Sequence, residues 1–137
     1  MWFADDPQQI PWQRFLDEVA EAGYEWIELG PYGYLPTDLN VLRAELDKRQ
    51  LKVAGTFLMA HLEDPEAWPE LESDLMGAGE LLAGLDAKFL VLIDDLHTDW
   101  FTGKQIKPER LDDDAWKRLI DTTHKVAEIA REKFNLR

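Results

Sequence analysis

The chain has 137 residues, 45% of them hydrophobic and 31% charged, so it is long enough and apolar enough to fold around one core. It carries 28 acidic and 15 basic residues, and the resulting net charge of −13 disfavours binding to nucleic acid and to anionic membranes. The absence of cysteine excludes disulfides and thiolate sites. The first residues lack the regions of a signal peptide and no apolar run could span a membrane, so we expect a cytoplasmic protein.

Helical and strand patterns alternate along the chain. Apolar residues recur at helical spacing in residues 8–22, 37–49, 64–83 and 112–134. Short runs rich in aromatic and branched residues predict strands at 24–29, 51–58 and 87–93. Strands separated by helices indicate parallel pairing, and strand starts about 30 residues apart are typical of a (β/α)8 barrel.

The length is well below the roughly 250 residues of a complete barrel of this kind. We therefore predict an α/β fold in which residues 1–137 form a single partial domain, the N-terminal half of a TIM barrel. Met1–Phe3 would be a truncated first strand, and residues 135–137 would lead into a further one. The alternative is a small doubly wound domain, which would have helices on both faces of an open sheet.

Polar residues concentrate in the loops that follow the predicted strands, whereas the loops that precede strands are short and plain. Ligands of parallel α/β folds bind at the carboxyl ends of the strands, so these loops form the candidate site. The candidates are Glu28, Tyr32, Tyr34, His61, Glu63, Asp94, Asp95, His97, Asp99 and Trp100.

Each of these residues has a functional and a structural interpretation. Glu28 is predicted one residue from the end of its strand and facing the barrel interior, as a substrate ligand, a general base or a structural carboxylate. His61 could contact a polyol hydroxyl or a metal, or could cap its loop. Asp94 and Asp95 could hold a cation or a sugar, and strand alternation lets only one of them point inward. Trp100 and Phe101 could stack on a sugar ring or anchor the loop.

Several catalytic and metal-binding motifs are missing from the sequence. It contains neither a phosphate-binding glycine loop nor a GxSxG nucleophile elbow. His97 and Asp99 add possible ligands, but no spacing such as HExxH appears, so no metal site is predicted within the chain.

The run from Phe15 to Gly30 resembles the first helix and second strand of the sugar phosphate isomerase/epimerase superfamily, which are xylose isomerase-like TIM barrels. Residues 51–57 are similar to the third strand of that superfamily, and residues 30–36 resemble its inosose-dehydratase-like branch. The resemblance implies an isomerase, epimerase or dehydratase that acts on a small sugar or polyol.

The resemblance also implies a divalent metal, manganese, cobalt, magnesium or zinc, held by two Glu, an Asp and a His from strands five to eight. Those strands would lie beyond Arg137, so we expect this chain alone to bind no metal and to be inactive. The family lines its pocket at positions that match Trp2, Glu28 and His61. With Asp94 and Trp100, these are the predicted substrate-binding residues.

A second hypothesis is a stand-alone half-barrel that serves binding or oligomerisation without catalysis. Such a half would leave an open sheet edge and an uncovered interior. It would therefore form a homodimer or pair with a C-terminal half.

Overall fold

The structure is a computed structural model, and it describes residues 9–95, 97–99, 102–108 and 110–137. The described helices and strands alternate. In chain order they are α1 (Trp12–Glu21), β1 (Trp26–Pro31), α2 (Leu39–Asp47), β2 (Lys52–Ala60), a 3-10 turn (Pro65–Ala67), α3 (Trp68–Gly84), β3 (Phe89–Asp94) and α4 (Asp113–Phe134). The predicted truncated strand at Met1–Phe3 lies outside the described residues.

The three strands form one open parallel sheet in the order β1-β2-β3. Strands β2 and β3 stay in register from the pair Gly55–Phe89 to the pair Ala60–Asp94. The register of β1 against β2 shifts, because Ile27 lies opposite Val53 whereas Glu28 lies opposite Gly55. The predicted α/β class with parallel strands is confirmed.

Strand β1 runs two residues further than predicted, because Gly30 and Pro31 are strand and not loop. Thr56 Oγ1 donates a hydrogen bond to the carbonyl of Gly30 (2.7 Å), and the N–H of Tyr32 donates to the carbonyl of Phe57 (3.3 Å). Pairing with β2 therefore continues past the glycine, and a proline is tolerated at the end of an edge strand.

Three helical starts are fixed by aspartates. Asp38 caps α2 by accepting from the N–H groups of Asn40 and Val41 (both 2.9 Å). Asp112 caps α4 by accepting from Ala115 N–H (2.8 Å). Asp64 caps the 3-10 turn that leads into α3. Each carboxylate satisfies an N–H group that the helix itself leaves unpaired.

The core lies on one face of the sheet, beneath the helices. Its fully enclosed side chains include Leu16, Leu42, Leu75 and Leu82. On the opposite face, here called the inner face, Trp26 is 55% exposed, Phe89 51%, Val91 42% and Met59 37%. Within the described part of the chain no helix covers the inner face, so the doubly wound alternative is wrong.

The buried stripe of α4 differs from the prediction. The apolar stripe that helical spacing predicts to be buried over residues 112–134 includes Trp116 and Ile120, but Trp116 is 56% exposed and Ile120 is 37% exposed. The buried residues of α4 are Ala115, Val126 and Ala130. Helical spacing shows that an apolar stripe exists but not how much of it a neighbouring element covers. Trp116 is exposed because it borders an open cleft.

A glycine inside a predicted strand, Gly55, indicates close packing or a kink, and the structure shows close packing. A Cβ atom there would lie 2.2 Å from the backbone oxygen of Phe89 on the adjacent strand. Only a residue without a side chain lets the two backbones approach this closely.

Helix α4 ends in a left-handed residue, Asn135, with φ of 55°. Leu136 is buried, and Arg137 lies beside β3, where its N–H donates to Lys88 (2.9 Å) and its carbonyl accepts from Leu90 (3.0 Å). Arg137 therefore makes strand-like contacts with β3, and that residues 135–137 lead into a further strand stays a prediction. Among the described helices, none has the length and apolar character that a bilayer crossing requires.

Candidate functional site

A group of acids and a histidine lies where β2 and β3 end. Glu63, Asp94 and His97 each place one ligand atom so that all three atoms lie within 4.8 Å of one another. We call these three residues the carboxyl-edge cluster. Its position is the edge at which parallel α/β proteins bind their ligands.

The register of the sheet brings the cluster together. Ala60 and Asp94 are paired at the ends of their strands, and the Asp95 N–H donates to the Ala60 carbonyl (2.9 Å). The two loops therefore start side by side. The Leu62 N–H then donates to Asp94 Oδ1 (3.1 Å), which leaves Asp94 Oδ2 to face His97.

The loop after β3 folds back over the cluster. Thr98 and Gln105 form an antiparallel bridge, and the N–H groups of Ile106 and Lys107 both donate to the His97 carbonyl (2.9 and 3.1 Å). This turn places Lys107 beside the loop that follows β2, where the Lys107 ammonium donates to Glu63 Oε1 (3.0 Å).

Glu63 is the most enclosed member of the cluster, with only 6% of its surface exposed. Burial is the largest single influence and raises its pKa, but the hydrogen bond from Lys107, a backbone hydrogen bond and the positive charges of Lys107 and His61 together lower the pKa overall. The pKa of Lys107 is raised, chiefly by the same hydrogen bond. Arg118 of α4 donates to the Glu63 backbone carbonyl (2.8 Å). Glu63 is therefore an ionised carboxylate in a nearly dry position.

The protonation of His97 is constrained by its neighbours. Its Nδ1 lies 3.0 Å from the Pro108 carbonyl, which can only accept, so Nδ1 carries a hydrogen. Its Nε2 lies 3.2 Å from Asp94 Oδ2. The Pro108 contact, and after it Asp94, raises the pKa of His97.

His61 occupies the other side of the cluster. Its Nδ1 is 3.9 Å from Glu63 Oε1, its Nε2 is 3.7 Å from Asp95 Oδ2, and its ring centroid is 6.3 Å from that of His97. Two buried polar atoms in the described chain have no hydrogen-bond partner, His61 Nδ1 and Glu63 Oε2. Both belong to this site, and unpaired buried polar atoms are costly unless a ligand satisfies them.

A cleft opens on each side of the cluster. The larger one, of about 450 Å³, lies between Asp94, His97 and Arg110 on one wall and Trp116 of α4 on the other. The smaller one, of about 250 Å³, is lined by His61, Asp95 and the acids Glu70 and Asp74 of α3. Both clefts are open to solvent and carry ionisable side chains that can hydrogen-bond a small hydroxylated molecule.

Of the predicted substrate-binding residues, the structure brings His61 and Asp94 together. Glu28 lies apart on the inner face of β1, opposite Gly55. It is three residues before the end of its strand instead of one, and it is exposed because the inner face is open. Trp2 and Trp100 lie outside the described residues.

Other candidates have local roles or fall at the edge of the site. Asp99 accepts from the N–H and hydroxyl of Thr102 (2.7 and 2.6 Å) and so stabilises the turn in the loop that follows β3. Asp94 and Asp95 each face a different histidine, because β3 ends at Asp94 and strand alternation ends with it. Lys107 and Arg118 were missed by sequence reasoning, since nothing near them in the chain points to Glu63.

The chain is similar in sequence to curated inosose dehydratases. It is 26% identical over 143 aligned residues to the enzyme of Clostridium perfringens and 27% identical over 138 to that of Lacticaseibacillus casei. Each match covers 96% of this chain but only 46% and 45% of the relative. The chain thus spans about half the length of the curated relatives it matches. No family model matches the sequence.

The fold is similar to that of two D-psicose 3-epimerase structures. The first, from Clostridium cellulolyticum H10 with D-tagatose, superposes with a TM-score of 0.62 at 16% identity, over 90% of this chain and 44% of that chain. The second, in the presence of D-fructose, gives a TM-score of 0.60 at 14% identity. The matches confirm the resemblance to xylose isomerase-like barrels, and the chain matches about half of such a barrel.

Proposed function

We propose that this chain is the N-terminal part of a metal-dependent isomerase, epimerase or dehydratase that acts on a small sugar or polyol. The observation that carries the proposal is the match to inosose dehydratases along 96% of the chain. The polar cluster at the carboxyl edge of the strands supports it, because this is the edge where such barrels hold their substrates.

In this proposal His61 and Asp94 hydrogen-bond hydroxyl groups of the substrate. His61 has a buried Nδ1 without a partner, and Asp94 is aligned by the Leu62 N–H. Glu28 would act from the inner face, which is the wall of the barrel interior. Trp2 and Trp100 complete the proposed substrate-binding set.

The metal implied by the resemblance would polarise a substrate carbonyl and hydroxyl in the whole protein. Its two Glu, one Asp and one His follow later strands than the three described here. The carboxyl-edge cluster has one glutamate fewer and lies where β2 and β3 end, so it is not that ligand set. We therefore derive no step through that metal and expect no turnover from this chain alone.

The proposal predicts that the chain binds sugars or polyols at the loops after β2 and β3. Titration of the 15N-labelled chain with inosose, D-psicose and D-fructose, with a chelator present, should shift the amide signals of residues 61–64 and 94–99. His61→Ala and Asp94→Asn should each weaken binding about tenfold, the effect of one lost hydrogen bond. His124→Ala and Glu128→Gln, on the exposed side of α4, are the matched controls.

Binding of none of the three compounds, or shifts confined to other surfaces, would contradict this role. Dehydration of inosose or epimerisation of a ketose by the chain alone would show that the metal ligands assigned to later strands are not needed for catalysis. Assays with added Mn²⁺, Co²⁺, Mg²⁺ and Zn²⁺ measure this directly.

A second function is favoured by the inner face. Trp26, Phe89, Val91 and Met59 expose apolar surface there, which is the chemistry of a protein interface. We therefore keep a non-catalytic half-barrel that forms a homodimer, or pairs with a C-terminal half, as the alternative function.

A further inference from the structure

We propose that the carboxyl-edge cluster binds a divalent cation of the zinc type, with Glu63, Asp94 and His97 as its ligands. Its ligands lie where β2 and β3 end, whereas the family resemblance assigns its metal to residues of strands five to eight. It also goes beyond the proposed sugar chemistry, since it does not depend on which substrate the protein takes.

The tautomer of His97 is the first argument. The hydrogen on Nδ1 is held by the Pro108 carbonyl, so the lone pair of a neutral ring lies on Nε2, 3.2 Å from Asp94 Oδ2. Two acceptors face each other at that distance, and either a proton or a metal ion must lie between them. A histidine whose other nitrogen donates to a backbone carbonyl is the usual arrangement of a metal ligand.

The second argument is the unpaired oxygen of Glu63. The side chain is more than nine-tenths buried, and Oε2 has no hydrogen-bond partner. Glu63 Oε1 is held by Lys107, which leaves the second oxygen for another cation. A bound metal ion would satisfy a buried charge that the described part of the chain leaves incomplete.

The geometry suits a small ion with an open coordination position. Tetrahedral zinc with bonds of about 2.0–2.1 Å keeps its ligand atoms about 3.4 Å apart. The Asp94 Oδ2–His97 Nε2 pair is already near that spacing, and all three ligand atoms lie within 4.8 Å of one another. Two carboxylates and an imidazole select zinc or manganese over calcium, and three protein ligands leave a place for water or substrate.

The charge around the cluster also favours a cation. Three permanent positive charges lie near it, on Lys107, Arg118 and Arg110. Four carboxylates oppose them, those of Glu63, Asp64, Asp94 and Asp95. Lys107 competes directly for Glu63, so its removal should strengthen metal binding.

The test is calorimetric titration of the full chain with Zn²⁺ at 0.15 M salt, with Co²⁺ absorption as a second readout. We expect one Zn²⁺ per chain and a tetrahedral Co²⁺ spectrum. Asp94→Asn and His97→Ala should each weaken binding more than about tenfold and abolish that spectrum. Lys107→Met should tighten binding at least about threefold, whereas Lys104→Met, its exposed neighbour in the same loop, should not.

Any of three outcomes would overturn the proposal. They are no binding at millimolar Zn²⁺, equal binding by the parent chain and the Asp94 and His97 variants, or equal losses in the control Glu128→Gln. The last two would mean that Zn²⁺ adheres to the acidic surface at large. Glu63→Gln is a further variant, and the half-buried Asp94 and His97 decide the question if it fails to fold.

Discussion

Asp74 is a partly buried carboxylate of α3 that lines the cleft beside His61. Burial raises its pKa, and the negative charge of Glu70 raises it further. A carboxyl whose pKa is higher in the folded than in the unfolded chain destabilises the fold once it is ionised. The penalty is absent below the unfolded pKa of about 3.9 and complete above the folded pKa.

Asp74→Asn should therefore raise the free energy of unfolding at pH 7, by about 0.5 kcal/mol or less, as is usual for a site open to water. This increase in the free energy of unfolding should become smaller as the pH falls from the pKa of Asp74 in the folded chain toward its pKa in the unfolded chain. Urea unfolding followed by circular dichroism at pH 7 and pH 4 measures both. Asp121→Asn, on the exposed side of α4, is the control, and an equal gain there would assign the effect to net charge alone.

Single residues were predictable where their role is local. The aspartate caps at Asp38, Asp64 and Asp112 depend on backbone groups two or three residues away, so sequence position is enough to identify them. The contacts of Lys107 and Arg118 with Glu63 span 44 and 55 residues, and only the sheet register creates them. For that reason the loops of the site were predicted but its ion pairs were not.

At the scale of elements, the pairing of β2 with β3 depends on Gly55. The atom that a Cβ would meet at 2.2 Å is the backbone oxygen of Phe89, which cannot rotate away as a side chain could. Gly55→Ala should destabilise the fold by about 2 kcal/mol, within the range for an overpacked core position. Thermal unfolding followed by circular dichroism measures it.

The neighbouring Ala54→Gly is the matched control, and the loss of its methyl group should cost about 0.5–1 kcal/mol. Gly55→Ala combined with Phe89→Ala separates the two possible causes. Because the clash is with backbone, the double variant should not recover stability, and recovery would place the strain in the Phe89 side chain.

The order and type of the elements followed from sequence periodicity, but their ends did not. Strand β1 gained Gly30 and Pro31 because partners on β2 accept and donate to that segment, which no local pattern records. The exposure of Trp116 was missed for the same reason, since a helical stripe does not show which part of it a neighbour covers.

At the scale of the whole molecule, apolar side chains are exposed on the inner face of the open sheet. If this face is an interface, Val91→Lys should weaken self-association at least about tenfold, because a buried charge replaces an apolar contact. Light scattering after size exclusion, across a range of protein concentrations, measures the association constant. Ile120→Lys, on α4, is the control for added positive charge.

A chain that stays monomeric at all concentrations would contradict the homodimer. Val91→Lys should still bind sugars at the loops after β2 and β3 if those loops form the substrate site. Loss of both properties together would indicate a damaged fold instead of a lost interface.

Among the described strands, each is hydrogen-bonded only to the strand that comes before or after it in the chain. Each β-helix-β unit can therefore complete its pairing as soon as it has been synthesised, without waiting for distant sequence to close a loop. Such a chain can be built up on the ribosome by successive addition, with β3 docking on a β1-β2 pair that already exists. The rate of folding then depends on contacts between segments that are close in sequence, so this architecture is suited to folding from the N-terminus during synthesis.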